Sequence, residues 1–211
     1  MAYNISFEED TEPTIFDSKL GGLPYWDFGS EREFPTDSEG NKMQLLFQIN
    51  IEKNQDVFGE DSLLPKTGML QFFISPSDDA FGLNFDGTGL GDGFAVVYHE
   101  EINYDATREA VEDAGVPLGA GDFSTPVQKE CAARFEKCDG DVANGIFAKA
   151  EFTQDPPEFF DESLLVLLQL DSSGNEDYMM WGDEGIGNFF ITEDDLRNRK
   201  FENVLYNWDC C

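Results

Sequence analysis

The sequence contains one histidine, and two acidic residues follow it directly. His99 stands in the segment YHEE, before Glu100 and Glu101. An imidazole beside carboxylates can act as a general base or bind a metal ion. Neighbouring strand residues point to opposite faces, so His99 shares a face with Glu101 and not with Glu100. Because the chain has no Gly-x-Ser-x-Gly motif or Cys-His arrangement that would supply a nucleophile, we predict a hydrogen-bonded histidine at a strand end rather than a catalytic base.

Two further segments combine an indole with a carboxylate. MWGDEGIG places Trp181 and Asp183 at a glycine turn, and the final NWDCC contains Trp208 and Asp209. Such pairs can grip a polar or cationic ligand. The alternative is that both tryptophans fill the core and Asp183 caps its turn. If the strand ends meet at one cleft, the candidate ligand-binding residues are His99, Glu101, Trp181, Asp183, Trp208 and Asp209.

The sequence offers no recognisable cofactor site. With one histidine and no C-x-x-C pair, a structural zinc site is not expected. The acidic segments 77–93 and 171–177 do not match the ligand spacing of an EF-hand, and Gly-x-Gly at 185–187 lacks a phosphate-binding pattern. We therefore predict no metal and no cofactor. The thiols are expected to be reduced; they belong to Cys131, Cys138, Cys210 and Cys211.

Two glutamines occupy matching places in apolar segments that echo each other. LLFQIN at 45–50 aligns with VLLQLD at 166–171, which sets Gln48 opposite Gln169. Both segments are apolar on both alternating faces, as in a strand that is covered on both sides. A buried amide without partners costs about 1–3 kcal/mol. We therefore predict that both glutamines are structural and bond to backbone groups.

The echo continues in two further blocks, in the same order. GMLQFFIS at 68–75 aligns with GIGNFFIT at 185–192, and VVYHEE at 96–101 with VLYNWD at 204–209. The last alignment pairs His99 with Asn207, and Tyr98 with Tyr206. We interpret the blocks as a duplicated strand–loop–strand–loop–strand unit.

This unit would occur twice in a single domain over residues 1–211, with the first repeat at about 43–103 and the second at about 164–211. The predicted fold class is α+β, mostly an antiparallel β-sheet with few short helices. Residues 152–162 have the composition of a linker into the second copy.

Residues typical of a helix N-terminus follow both Phe-Phe-Ile motifs. Thr192 precedes Asp195, and Ser75 precedes Asp78, at the spacing of an N-cap. The segment YDATREAVEDAG also predicts a helix, closed by Gly115. Residues 125–138 fit one helical face as well as strand alternation, and we favour the strand.

The charge of the chain is strongly one-sided. The sequence has 44 acidic and 13 basic residues, for a net charge of −31, while 40% of its residues are hydrophobic. Such a surface repels nucleic acid and anionic lipid, so neither is an expected partner. The charge favours solubility or a saline habitat, or attraction to a basic protein or to cations. Without a signal peptide or a membrane-spanning segment, we expect a cytoplasmic protein.

Several segments together are similar to a known family: GGLPYW, FPTDSEGNKMQLLFQIN, GMLQFFIS, GFAVVYHEEI, LLQLDSS, MWGDEGIGNFFI and VLYNWDCC. In this order they cover most of residues 20–211, and the chain resembles the YwqG-like family, a bacterial family named for a protein of unknown function. The resemblance implies a bacterial cytosolic α+β protein. It implies no established activity, so no catalytic residues can be carried over to this sequence. It also implies a shortened N-terminal helical region, because family members carry a longer segment before Gly-Gly-x-Pro-Tyr.

The functional prediction combines these observations. We predict a non-catalytic binding protein, rather than an enzyme, whose acidic surface meets a basic protein partner. Neutralisation of a toxin is one version of this role. The alternative is an enzyme or small-ligand receptor that uses a cleft between the two repeats. Nothing in the sequence specifies an oligomeric state.

Overall fold

The computed structural model describes residues 1–8, 11–76, 80–119 and 125–211. Within these ranges the chain forms ten strands and three short helices. The strands are β1 (Ala2–Glu8), β2 (Lys19–Leu20), β3 (Gln44–Asn50), β4 (Met69–Ile74), β5 (Phe94–His99), β6 (Cys131–Cys138), β7 (Gly145–Ile146), β8 (Leu165–Asp171), β9 (Ile186–Ile191) and β10 (Leu205–Asp209). The helices are α1 (Gln55–Phe58), α2 (Arg108–Asp113) and α3 (Glu193–Arg197), and 3₁₀ turns span Glu52–Asn54 and Phe201–Asn203.

All ten strands belong to one sheet, and the kinds of strand are arranged symmetrically about its centre. The order is β10-β9-β8-β7-β1-β6-β2-β3-β4-β5, and every neighbouring pair is antiparallel. The pair β1–β6 forms the centre. On each side follow a two-residue strand and then a three-stranded meander. The predicted class, a mostly antiparallel sheet with few short helices, is confirmed.

The two meanders share one register. In β3 and β4, Gln48 pairs with Gln71, and the ladder shifts between Leu45 and Phe47. In β8 and β9, Gln169 pairs with Asn188, and the ladder shifts between Val166 and Leu168. Each meander therefore has an irregularity at the same distance from its buried glutamine. This agrees with the first two blocks of the sequence alignment.

The third block of that alignment is shifted by two residues. His99 pairs with Met69 and Asp209 pairs with Ile186, so the ladders relate His99 to Asp209 and not to Asn207. By the same count Tyr98 corresponds to Trp208. The preceding glycines fit this register, since a Cβ on Gly68 would lie 2.0 Å from the carbonyl oxygen of His99 and one on Gly185 would lie 2.1 Å from that of Asp209.

The curled sheet brings the two meanders face to face. Phe72 of β4 lies 5.0 Å from Phe189 of β9, and Phe94 of β5 lies 5.1 Å from Tyr206 of β10, between ring centroids. The Tyr206 hydroxyl donates to the carbonyl oxygen of Phe81 at 2.9 Å, and its backbone N–H donates to that of Gly89 at 2.8 Å. Aromatic pairs of this kind contribute about 0.5–1.5 kcal/mol each beyond their buried area. The main core therefore lies between the halves.

Local helix and strand signals in the sequence are mostly confirmed. Thr192 caps α3 by accepting a hydrogen bond from the Asp195 N–H at 3.1 Å, and α2 ends before Gly115, whose φ is +67°. Residues 131–138 form strand β6, while 152–162 contain no helix or strand. The helix start predicted at Ser75–Asp78 extends into residues 77–79, which lie outside the described residues.

The N-terminal segment forms a strand that the sequence patterns did not predict. β1 pairs with β6 along its whole length and with β7 at Tyr3 and Asn4. It completes the half of the sheet that contains β7–β10, although it is far from those strands in the chain. None of the helices in the described part of the chain is long enough and apolar enough to cross a membrane.

Candidate functional site

Gln48 connects β3 to the segments on both sides of β2. Its Oε1 accepts hydrogen bonds from the Tyr25 N–H and from Gln71 Nε2, both at 3.1 Å. Its Nε2 donates to the carbonyl oxygens of Ile15 at 2.9 Å and Asp17 at 2.7 Å. The side chain is fully buried and uses both of its donors and both of its acceptor positions. The predicted structural role for Gln48 agrees with these contacts.

Gln169 makes corresponding contacts in the other half. Its Oε1 accepts from the Glu151 N–H at 2.9 Å, and its Nε2 donates to the carbonyl oxygens of Val142 at 3.1 Å and Ala143 at 3.2 Å. The neighbouring strand supplies a second amide in both halves: Gln71 donates to the Tyr25 carbonyl oxygen, and Asn188 donates to that of Glu151. In each half, a pair of buried amides therefore ties the segments that flank the two-residue strand, β2 or β7, to the sheet.

Replacing Gln169 with leucine is expected to lower the free energy of unfolding by about 1–3 kcal/mol, because the Glu151 N–H and two carbonyl groups lose their partner. Urea denaturation measures this change. An unchanged denaturation midpoint would show that these groups find other partners at no cost.

His99 is part of the first amide cluster. Its Nε2 lies 2.9 Å from Gln71 Oε1, and since Gln71 Nε2 already donates to Tyr25 and Gln48, the imidazole N–H is the donor. The ring meets Tyr25 and Trp26 edge-on at 5.1 and 4.9 Å between centroids. Burial, with a smaller contribution from the nearby Arg32 guanidinium, lowers the pKa of His99 to about 4. The imidazole is therefore neutral near pH 7 and bonded to an amide.

The second half lacks a counterpart of the hydrogen bond between His99 and Gln71. Asp209 corresponds to His99 in the ladders, and its carboxylate accepts from the backbone N–H groups of Thr153 at 3.2 Å and Gln154 at 3.1 Å. Asn188 Oδ1, which corresponds to the acceptor of the His99 proton, is buried without a partner among the described residues. The two halves therefore differ at these strand ends.

The structure separates the six residues predicted to bind a ligand. His99 and Glu101 lie at the end of edge strand β5, whereas Trp208 and Asp209 lie on the opposite edge strand, β10. Trp181 is fully buried, with its ring 6.1 Å from Trp208 and 6.4 Å from Tyr206, and so fills the core. Asp183 and Glu101 are exposed.

Two clefts lie at the edge strands, one on each side of the molecule's pseudo-symmetric sheet. The first, which we call the β5 cleft, has a volume of about 450 Å³ and contains Tyr98, Glu100, Arg199 and Phe201. The second, the β10 cleft, has a volume of about 570 Å³. Each cleft combines an edge strand of one half with the connection between the last two strands of the other half. The molecule therefore has two clefts at the boundary between its halves.

The β10 cleft contains two of the predicted residues. Its apolar lining residues include Leu83, Phe85, Pro157 and Trp208, and its carboxylates are those of Asp155 and Asp209. The Trp208 ring is partly exposed, and its Nε1 donates to the Ala80 carbonyl oxygen at 2.5 Å, which fixes its orientation. Asp209 is fixed by the two backbone donors described above. The cleft thus has a positioned ring and a positioned carboxylate.

Sequence reasoning missed the other side of this cleft. Phe85 is 78% exposed, although large aromatic side chains are usually covered. It lies in the segment 77–93, which is rich in glycine and aspartate and which we considered, from the sequence, only as a possible calcium loop. The useful signal was an isolated phenylalanine in a segment with no strand or helix pattern.

No metal centre accompanies these clefts in the part of the chain that the structure describes, where no three His, Cys, Asp or Glu side chains are grouped to hold an ion. All four cysteines are free thiols. Burial raises the pKa of the Cys131 thiol to about 12, which makes it a poor nucleophile. The side chains that line the clefts offer apolar contact, hydrogen bonds and charge.

The fold and these clefts define an acidic α+β protein made of one curled antiparallel sheet, with a cleft at each edge strand. The family model described as "Domain of unknown function (DUF1963)" matches residues 18–210. The chain belongs to this family. Comparison with curated proteins gives no match.

Proposed function

We propose that this protein is a non-catalytic interaction module that captures a basic protein partner. The observation that carries the proposal is the charge: 13 basic residues leave a net charge of −31 on a chain of 211 residues. A field of this size raises the rate of encounter with basic partners and slows encounter with acidic ones. Neutralisation of a basic toxin is one form of this activity.

The distribution of ion pairs supports the proposal. In the described ranges, Arg108, Arg134, Arg197 and Arg199 each have an acidic partner, and so do Lys19, Lys53 and Lys200. The molecule thus uses many of its few cations internally. The excess of carboxylates remains available to an external cationic surface.

The environment of His99 supports a role without catalysis. A general base works best when its pKa lies near the working pH. Burial lowers the pKa of His99 to about 4, so its imidazole is a weak base near pH 7, and its ring is packed between those of Tyr25 and Trp26.

We further infer that the protein is an internally duplicated, bacterial cytoplasmic member of the YwqG-like group. Support for duplication comes from the shared ladder registers and from the paired amide clusters of Gln48 and Gln169. Support for the group comes from the motifs GGLPYW and MWGDEGIGNFFI.

We expect affinity capture from native cytosol at low salt to recover basic proteins. The association rate of a purified partner should fall about tenfold or more between 50 and 500 mM NaCl, because charge steering is screened beyond about 8–10 Å at physiological ionic strength and over less at higher salt. Surface plasmon resonance across a salt series measures this fall. Recovery of only neutral or acidic partners, held equally well at high salt, would contradict the proposal.

Adaptation to a saline environment is the competing explanation for the charge. In that case the free energy of unfolding should rise strongly with salt, because salt screens self-repulsion, and no basic protein should be retained at any ionic strength. A denaturation series in NaCl, combined with the capture experiment, distinguishes the two explanations.

A small-ligand receptor is the second candidate, and the apolar lining of the β10 cleft favours it. Such a receptor would bind a small molecule in this cleft with an affinity that depends little on salt.

A further inference from the structure

In the β5 cleft, the protein binds one of its own arginines. The Arg199 guanidinium lies over the Tyr98 ring, 5.6 Å from its centroid, and forms an ion pair with Glu100. A cation above an aromatic face is attracted by the ring quadrupole, and a neighbouring carboxylate adds to the attraction. The Phe201 ring, from the same connection as Arg199, lies 5.4 Å from the Tyr98 ring between centroids. In the β5 cleft an arginine of the protein itself thus lies over the ring of the edge strand.

The β10 cleft presents the corresponding ring without the cation. Trp208 corresponds to Tyr98 in the strand ladders. Arg199 follows Thr192 at the same spacing as Gly82 follows Ser75, and both have positive φ, +58° and +78°. Since glycine stands where the other half has arginine, this connection supplies no positive side chain to the ring of Trp208.

Negative charge is nevertheless retained at the β10 cleft. Asp155 is exposed at its rim, and Asp209 is held beside Trp208 by two backbone N–H donors. In the ladders Asp209 corresponds to His99, and by the same count Cys210 corresponds to Glu100, so these carboxylates reach the cleft from other positions than Glu100 does. A cationic group bound in the β10 cleft would have both the Trp208 ring and carboxylates among its lining residues.

The apolar side of the cleft adds a second requirement for the occupant. Leu83 and Pro157 are partly buried, and Phe85 is 78% exposed at the mouth. A guanidinium alone would leave these surfaces in water. A peptide with an apolar residue beside its arginine would cover them.

We propose that the β10 cleft binds an arginine side chain of a basic protein partner against the Trp208 ring, which corresponds to the Tyr98 ring that Arg199 covers, with an adjacent apolar residue of the partner against Phe85. The proposal rests on the proposed function and specifies where the partner is recognised. The occupant is an extended peptide segment with alternating basic and apolar residues. A basic peptide complements the negative charge of this protein, and the Tyr98 ring of the other half already contacts an arginine.

The test uses the full chain and a fluorescent nonapeptide in which arginine and leucine alternate. A second peptide has citrulline in place of arginine, which keeps the shape and removes the charge. Fluorescence anisotropy at constant salt should show the citrulline peptide binding at least about tenfold more weakly, as expected for loss of a cation–π contact and its carboxylate partners.

The cleft variant combines Phe85→Ser with Asp155→Asn, which change exposed side chains only. A matched control combines Leu118→Ser with Glu109→Gln, because Leu118 is also largely exposed, at 59%, and both double variants lose one negative charge. We expect the cleft variant to bind the arginine peptide about tenfold more weakly than the wild type. The control should bind within about twofold of the wild type, and both should keep the wild-type melting temperature.

The outcomes separate the two proposals. Equal weakening in both double variants would mean that the peptide is held by the general field, which overturns the cleft site and leaves the acidic interaction module intact. Equal binding of the arginine and citrulline peptides would also overturn the cleft site. Failure of the wild type to bind the arginine peptide, or any purified basic protein, at low salt would overturn both.

Discussion

Replacement of Gln48 with leucine is expected to lower the free energy of unfolding by about 3–5 kcal/mol. The change removes four hydrogen bonds, which leaves the buried Tyr25 N–H without its acceptor and the buried Gln71 Nε2 with one of its two acceptors. The carbonyl groups of Ile15 and Asp17 lose their donor at the same time. The expected loss exceeds that for Gln169→Leu, because Gln48 also supports the amide that holds His99.

Urea denaturation of the wild type and the variant measures the loss, with the slope of the transition compared to verify two-state unfolding. Gln128→Leu is the matched control, because Gln128 is exposed and should change the free energy of unfolding by no more than about 0.5 kcal/mol. A double-mutant cycle with Gln71→Leu should give a coupling of about 0.5–3 kcal/mol. A loss below about 1 kcal/mol for Gln48→Leu would contradict the role assigned to the cluster.

Acidification from pH 6.5 to pH 4 is expected to destabilise the wild type by about 3 kcal/mol more than a His99→Gln variant. The folded-state pKa of His99 is about 4, below its ordinary value of 6.5. Between these values the unfolded chain binds a proton that the native chain does not. The free energy of unfolding therefore falls as the pH falls through this window, and the contribution of His99 is fully present above pH 6.5.

The variant is needed because many carboxylates also titrate at low pH. Their effect is common to both chains, and glutamine can still donate a hydrogen bond to Gln71, so the difference between the two curves isolates the imidazole. The charged groups nearest to His99 are those of Arg32 and Asp27. Urea denaturation at pH steps from 4 to 8 gives both curves. Parallel curves over this range would mean that the His99 ring takes up a proton without cost in the folded protein.

The sequence alone determined the strands of the two meanders and the burial of their glutamines. The apolar segments around Gln48 and Gln169 are buried on both faces, and a buried amide must bond to backbone groups. Local chemistry also determined the caps at Thr192 and Gly115, because these depend on residues only a few positions apart. The class of fold followed from such local patterns.

The register of the edge strands was decided by tertiary structure. The alignment of identical residues paired Tyr98 with Tyr206, yet the strand ladders relate Tyr98 to Trp208. Cross-strand pairing sets the register, and the close approach of Gly68 and Gly185 to the next strand helps to hold it. A shift by two residues keeps every side chain on its face, so alternation in the sequence cannot detect it.

The centre of the sheet and the β10 cleft also depended on the tertiary structure. β1 lies between β6 and β7 in the sheet. Both strands are far from β1 in the chain, and no local pattern specifies such a pairing. In the cleft, Phe85 comes from one half and Trp208 from the other. They meet because burial of the aromatic residues of both meanders curls the sheet, and this long-range packing brings the connection of one half against the edge strand of the other.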